Sequence, residues 1–177
     1  MLIDCAVCGS ERVIIGKEAK YAPDYLDFLC SAECVKKKIE SFPLVGLKDV
    51  KKWLLDYRII RQKEPRGGEA YSLRLDMWFA SQPEADVAEV LLDWGEVAYY
   101  EPLVLKLNRG YLIPDFVLPF RRLFIEVKGI WGMSQSSKVE GFLEDYPDTN
   151  YIMISKLIYR DFMKLRRDIG QRGRKTA

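Results

Sequence analysis

The sequence predicts an α/β fold in which helices cover a sheet, preceded by a small metal-binding module. Four cysteines fall within the first 34 of the 177 residues, in two closely spaced pairs, which sets this stretch apart from the rest. From residue 81 onward the hydrophobic pattern runs helix, three strands, helix, strand, helix, an order typical of a sheet layered by helices. Residues 61–70, before this body, are polar and rich in glycine and proline, as linkers are.

We expect three parts: residues 1–42 as a four-cysteine module, residues 43–70 as a connecting helix and linker, and residues 71–177 as the main body with a basic tail. The connecting helix is predicted over residues 47–60, where apolar residues recur at helical spacing. The tail, residues 156–177, carries eight lysines and arginines against two aspartates in a chain of net charge +2. Such a basic end suits contact with phosphates, although a solvated tail would show the same charge.

Histidine is absent from the chain. Its absence excludes histidine general bases, histidine-ligated metal sites and Ser-His triads, so any catalysis must rely on carboxylates, lysines and a bound metal. No apolar run approaches the roughly 20 residues that span a bilayer, and the start of the chain lacks a basic-then-apolar signal pattern. We therefore expect a cytoplasmic protein with no membrane partner.

The two cysteine pairs have the spacing of metal ligands. The first, Cys5-x-x-Cys8, precedes a glycine as in a metal-binding turn, and the second, Cys30-x-x-x-Cys34, opens a predicted helix. The phrase at residues 28–34 resembles a treble-clef-type zinc finger, and four thiolates imply a structural zinc with no open position for catalysis. Two disulfides or four free thiols are the alternatives.

In the main body, Ser81 is the predicted N-cap of a helix that ends at Trp94, before Gly95. Two apolar runs at 97–107 and 111–118, joined by Asn108-Arg109-Gly110, have the signature of a hairpin. The other elements are predicted as helices at 31–40, 136–146 and 160–169, and as strands at 123–129 and 151–155.

Two acids interrupt the apolar strands of this body. Side chains alternate across a sheet, so Phe124, Glu126 and Lys128 share one face of their strand. An acid and a lysine on an otherwise apolar strand are unusual in a structural core. Pro114 removes a ladder hydrogen bond from the preceding strand and can turn Asp115 toward its neighbour. If the two strands pair as a hairpin, Asp115 lies beside Glu126.

These residues match the ligands that a hard divalent cation prefers. Mg²⁺ takes one or two carboxylates together with water and substrate phosphate. Asp115 and Glu126 would supply the carboxylates, and the backbone carbonyl of Val127 a further oxygen. Lys128 would orient or help deprotonate an attacking water, whose pKa the metal lowers. We expect Mg²⁺ or Mn²⁺ at this site.

The same residues resemble the motif of the PD-(D/E)xK nuclease superfamily. Most similar in pattern is phage endonuclease I, of the Holliday junction resolvase type, whose Pro-Asp and Glu-x-Lys phrases look like residues 111–119 and 124–131. Its Ser-x-x-Glu at a helix start is similar to the stretch from Ser81 to Glu84. The resemblance covers residues 79–170 and leaves out the cysteine module. It implies a restriction-endonuclease-like mixed sheet with Glu84 as a third metal-binding acid; a capping-box glutamate is the alternative interpretation of Glu84.

By this resemblance the protein is expected to be a metal-dependent DNA endonuclease, a hydrolase acting on phosphodiester bonds in duplex or branched DNA. Catalysis would rest on Glu84, Asp115, Glu126 and Lys128. A site-specific, homing- or restriction-like nuclease guided by the zinc finger is one alternative, and a non-catalytic zinc-stabilised DNA-binding protein is another. Since cutting both strands needs two active sites, a homodimer is expected.

Overall fold

The structure, a computed structural model, describes residues 2–13, 28–62, 68–128, 133–156 and 158–164. The strands are β1 (Leu2–Asp4), β2 (Glu11–Val13), β3 (Ile59–Gln62), β4 (Ala70–Ser72), β5 (Met77–Phe79), β6 (Tyr99–Tyr100), β7 (Leu103–Lys106), β8 (Tyr111–Leu112), β9 (Phe116–Leu118), β10 (Leu123–Lys128) and β11 (Asn150–Ser155). The helices are α1 (Ala32–Ser41), α2 (Leu47–Leu55), α3 (Gln82–Asp93), α4 (Met133–Asp145) and α5 (158–164), with a 3₁₀ turn at Pro119–Arg121.

The central sheet has the strand order β11-β10-β9-β6. Strand β10 runs parallel to β11 and antiparallel to β9, and β6 completes the sheet antiparallel to β9. A second, antiparallel sheet has the order β3-β7-β8, and β1-β2 and β4-β5 each form a two-stranded antiparallel pair. Helices combined with a mixed sheet confirm the predicted α/β class.

The central sheet has a buried cluster on each face. Leu123, Ile125 and Val127 of β10 belong to a first cluster that includes α3, α5 and the cysteine module. Phe124 belongs to a second cluster, formed with α2, α4, β7 and β8. The predicted alternation along β10 is therefore confirmed for these residues.

Capping residues set the helix ends. Ser81 is the N-cap of α3, Trp94 is its C-cap, and Gly95 follows with a φ of +76°, a value that glycine adopts without strain. Ser31 is the N-cap of α1, where its hydroxyl accepts a hydrogen bond from the N–H of Cys34 at 3.2 Å. Both helix starts are confirmed as predicted.

The later elements follow the predicted order. At the tip of the β7-β8 hairpin the N–H of Leu107 donates to the carbonyl of Gly110 at 3.1 Å. The predicted helix at 136–146 and strand at 151–155 are confirmed as α4 and β11. The predicted basic helix at 160–169 is confirmed to residue 164, and the rest of it and of the basic tail lies outside the described residues.

Three predicted elements are wrong in length. The run expected as one strand at 111–118 is divided into β8 and β9, which belong to different sheets, because Pro114 between them has no N–H to donate. The helix expected over 47–60 ends at Leu55, because Ile59 pairs with the buried Leu105 and residues 59–62 become strand β3. β-branched isoleucines favour such an extended, half-buried position. The run expected as one strand at 97–107 is divided, because Glu101 has a φ of +41° and Pro102 has no N–H to donate. Strand β6 therefore joins the central sheet, and β7 joins the second sheet.

Candidate functional site

Asp115 lies between Pro114 and the first residue of β9 and is 8% exposed. Its Oδ2 accepts a hydrogen bond from the backbone N–H of Val127 at 2.7 Å. Its own carbonyl accepts a hydrogen bond from the N–H of Glu101 at 2.8 Å. The backbone and the side chain of Asp115 thus connect the β6 side of the sheet to β10, which fixes the orientation of the carboxylate.

Glu126 lies in β10 and is 4% exposed. The β9-β10 register pairs Phe124 with Val117 and Ile125 with Phe116, so the next position along puts Glu126 opposite Asp115. Residues opposite each other in an antiparallel pair project to the same face. The acids therefore share the face of Phe124 and Val117, which carries the second cluster. The β9-β10 pairing agrees with the predicted hairpin, and its register continued by one residue brings the two acids to opposite positions.

Lys128 is the last residue of β10, and its Cα lies opposite that of Ser155 in β11. Its backbone position follows Glu126 by two residues, as expected for a residue on the same face. Its side chain lies outside the part of the chain that the structure describes, so the role of Lys128 stays a prediction. Val127, between the two, is 6% exposed and its side chain packs in the first cluster.

Glu84 is held by two hydroxyl groups at the start of α3. Its Oε1 accepts a hydrogen bond from Ser81 at 2.7 Å, and its Oε2 accepts one from the phenol of Tyr100 at 2.5 Å. The Tyr100 oxygen also accepts from the N–H of Ala80 at 2.9 Å. Burial, together with the hydrogen bond to Glu84, raises the pKa of Tyr100. Ser81 thus has the backbone position of an N-cap. Its hydroxyl, however, donates to Glu84 and does not accept a capping hydrogen bond from a backbone N–H.

Glu84, Asp115 and Glu126 do not form a group whose ligand atoms all lie within 4.8 Å of one another. Tyr100 packs in the first cluster, whereas Asp115 and Glu126 share the opposite face. Among the described residues, the only metal-ligand group of three or more whose ligand atoms all lie within 4.8 Å of one another is formed by cysteines. Glu84 is hydrogen-bonded to Ser81 and Tyr100, and its place in a metal site with Asp115 and Glu126 stays a prediction.

Tyr100 is the partner that sequence reasoning missed. The Tyr99-Tyr100 pair looks like core filling in the sequence, and Tyr100 is indeed 5% exposed. Its hydrogen bond to Glu84 joins residues that are 16 positions apart, on β6 and α3. The one signal in the sequence is general: a buried tyrosine hydroxyl needs a partner.

The cysteine cluster is positioned to bind a metal ion. The Sγ atoms all lie within 4.8 Å of one another, and the four cysteines are free rather than disulfide-bonded. Two of the Sγ separations, Cys8 to Cys30 and Cys30 to Cys34, are 3.5 Å. Tetrahedral metal–sulfur bonds of about 2.3 Å place their sulfurs at similar separations. The four cysteines placed in this way are Cys5, Cys8, Cys30 and Cys34.

The backbone around the first cysteine pair forms a tight turn. The N–H of Gly9 donates to the carbonyl of Cys5 at 2.9 Å, and the N–H of Cys5 donates to the carbonyl of Ser10 at 3.1 Å. Hydrogen bonds with Ser10 lower the pKa of the Cys8 thiol to about 6. Burial raises the pKa of the Cys30 thiol to about 12. Crowded thiols therefore resist ionising together unless a cation compensates the charge.

The cysteine module is part of the same core as the sheet. Cys5 and Cys34 are buried in the first cluster, together with α1 residues and with β10. Arg121 adds a polar connection: its Nη1 donates to the carbonyl of Phe42 at 2.8 Å, and its Nη2 donates to Glu96 Oε1 at 2.8 Å. A metal bound here would therefore stabilise one face of the main body.

Within the described residues no helix has the length and apolar character needed to cross a membrane. Comparison with protein-family models, with curated proteins and with solved structures gives no significant match for this chain.

Proposed function

We propose that the protein is a metal-dependent DNA endonuclease that hydrolyses phosphodiester bonds. One observation carries the proposal: Asp115 and Glu126 are both buried, and each is the next residue beyond the last β9-β10 pair, Phe116 with Ile125, so that the continued register puts their carboxylates on one sheet face. Buried acids next to each other are costly in a purely structural core. Their order along the chain, with Lys128 following, is that of the PD-(D/E)xK motif.

The donor set fits a hard divalent cation such as Mg²⁺ or Mn²⁺. Carboxylates that are 8% and 4% exposed repel each other when both are ionised, and a cation between them offsets this repulsion. Asp115 and Glu126 would hold the cation, with the Val127 carbonyl as a further oxygen. When bound, it supplies Lewis acidity toward the scissile phosphate and toward an attacking water.

Residues of the chain itself position the reacting groups. The N–H of Val127 orients the Asp115 carboxylate before any substrate arrives. We propose that the Lys128 ammonium neutralises charge on the phosphate and orients the water. Glu84 is included in the metal site on the family resemblance alone. To join Asp115 and Glu126 it would have to give up its hydrogen bonds with Ser81 and Tyr100, so we propose that it does so only in the substrate complex.

We propose zinc as the metal of the cysteine cluster. Four thiolates with no position left for water are the ligand set of structural zinc. Because two of these ligands are buried in the first cluster, the module has less surface with which to read DNA. This favours a junction-resolving endonuclease, acting as a homodimer on branched DNA, over a site-specific nuclease guided by its finger.

Cleavage itself tests the proposal. Purified protein with Mg²⁺ is incubated with linear duplex, four-way junction and single-stranded DNA, beside Asp115→Ala and Lys128→Ala. Glu140→Gln, an exposed glutamate of α4, is the control that should cut like wild type. We expect wild type to cut and both site variants to lose cutting. No cutting by wild type, or equal cutting by the site variants, would overturn the proposal.

The substrate panel also decides between the two kinds of nuclease. Cutting confined to the four-way junction supports the resolving enzyme. A unique fragment pattern from long linear duplex supports the site-specific enzyme instead. DNA binding without cutting by correctly folded protein supports the non-catalytic alternative.

A further inference from the structure

Ser155, the last residue of β11, carries a buried hydroxyl. Within the described part of the chain, its Oγ has no hydrogen-bond partner. Burying a hydroxyl without a partner is unfavourable, because the group loses its hydrogen bonds to water and gains none. A hydroxyl in this state therefore calls for an explanation, and a bound ligand provides one.

The sheet register places Ser155 beside the acid site. Strand β11 runs parallel to β10, with Ser155 opposite Lys128 and Met153 opposite Glu126. Neighbouring strands lie about 4.8 Å apart. Ser155 is thus one strand and about two residues from Glu126, on the side of β10 away from Asp115.

The alternation of side chains along β11 shows on which face of the sheet Ser155 lies. Tyr151 and Met153 both pack in the second cluster, together with Phe124 of β10. Side chains two residues apart on a strand share a face, so Ser155 projects to the same side. The continued β9-β10 register puts Asp115 and Glu126 on this face too, so one face of three adjacent strands carries two acids and a hydroxyl.

We propose that the Ser155 hydroxyl binds the substrate, donating a hydrogen bond to a nonbridging oxygen of the scissile phosphodiester. The inference rests on the proposed nuclease function and adds a residue to its substrate site. A neutral donor suits the position, because it attracts phosphate oxygen next to two acids that repel it. The phosphate would then lie across β10, between the acid pair and β11.

The test compares Ser155→Ala with wild type in steady-state cleavage of the DNA that wild type cuts, together with thermal unfolding. Because the hydroxyl has no partner among the described residues, its removal should leave Tm unchanged or slightly raised. Loss of one hydrogen bond to a charged oxygen should lower kcat/KM by roughly tenfold. Ser155→Thr keeps a hydroxyl and should recover most of the activity.

Ser72→Ala is the matched control. Ser72 is also a buried serine, but its hydroxyl donates to Glu89 Oε1 at 2.6 Å and accepts from the N–H of Leu75 at 3.2 Å. Its removal should lower Tm and leave kcat/KM of the folded fraction unchanged.

Each outcome decides the inference. A tenfold loss of kcat/KM in Ser155→Ala at unchanged Tm, recovered by threonine, supports it. Equal activity of Ser155→Ala and wild type overturns it while leaving the nuclease function standing, and so does a loss that tracks a lowered Tm. If wild type cuts no DNA, the proposed function fails and this inference falls with it.

Discussion

The Asp115 carboxylate accepts a hydrogen bond from the backbone N–H of Val127, with 2.7 Å between Oδ2 and the nitrogen. The contact crosses from the residue before β9 to β10, and both residues are buried. Asp115 therefore helps to hold the hairpin together and also presents a carboxylate at the proposed metal site. Two substitutions can separate these roles.

Asp115→Asn should abolish activity and keep the fold. The asparagine side-chain oxygen still accepts from the Val127 N–H, while the negative charge that a cation needs is lost. Cleavage should fall by at least about 100-fold, with the free energy of unfolding within about 1 kcal/mol of wild type. Asp115→Ala leaves that N–H buried without its partner and should lose a further 1–3 kcal/mol or so. Gel-based cleavage and urea unfolding measure both, and wild-type cutting by Asp115→Asn would contradict the prediction.

The hydrogen bond between Tyr100 and Glu84 should appear as an energetic coupling. Tyr100→Phe removes a short bond to a part-buried carboxylate, so the free energy of unfolding should fall by about 1–2 kcal/mol. In a double-mutant cycle with Glu84→Gln, the coupling energy should be about 1 kcal/mol. Additive effects of the two substitutions would show that the contact contributes nothing measurable.

The cysteine cluster should hold one metal ion per chain. Elemental analysis of purified protein is expected to find zinc at that ratio, and a strong chelator should lower Tm markedly, because two of the ligands belong to the core. Cys34→Ser should reproduce the loss without chelator. A chain that binds no metal, or that keeps its Tm after metal removal, would contradict this prediction.

Lys138 should contact the DNA backbone next to the acid site. It is exposed on α4, which packs on the face of the acid pair, and its Nζ lies 5.8 Å from the centre of the half-exposed Tyr111 ring. Lys138→Ala should weaken DNA binding and lower the slope of log Kd against log salt by about 0.9, the value for one phosphate contact. Fluorescence anisotropy in Ca²⁺, at several salt concentrations, measures this slope.

Lys48→Ala is the control for Lys138. Lys48 lies in the first turn of α2, a helix that contacts the turn at Pro119–Arg121, before β10 begins. Lys48 is therefore near the start of β10, whereas Glu126 lies in the second half of that strand. Its removal should leave the salt slope unchanged. Equal slopes for the two variants would remove Lys138 from the interface.

Local chemistry explains which elements the sequence predicts well. Ser81 and Gly95 define α3 through capping, and Asn108 to Gly110 define a hairpin tip, because these signals act within a few residues. Strand β3 was missed because its pairing partner, β7, lies more than 40 residues away. A short strand of this kind forms only when a distant partner is in place.

The features of the acid site likewise differ in whether the sequence alone predicts them. The β9-β10 hairpin, whose continued register puts Asp115 opposite Glu126, depends on residues close in sequence and could be predicted from alternation. The tyrosine partner of Glu84 and the place of Ser155 depend on how α3, β6 and β11 assemble around that hairpin, which no local pattern encodes.

Single-turnover cleavage of a four-way DNA junction by wild type and Glu126→Gln, with and without Mg²⁺, tests the central claim most directly. We expect wild type to cut only with Mg²⁺ and Glu126→Gln to cut at least about 100-fold more slowly while folding normally. Mg²⁺-independent cutting, or a Glu126→Gln rate equal to that of wild type, would contradict a metal site at Asp115 and Glu126.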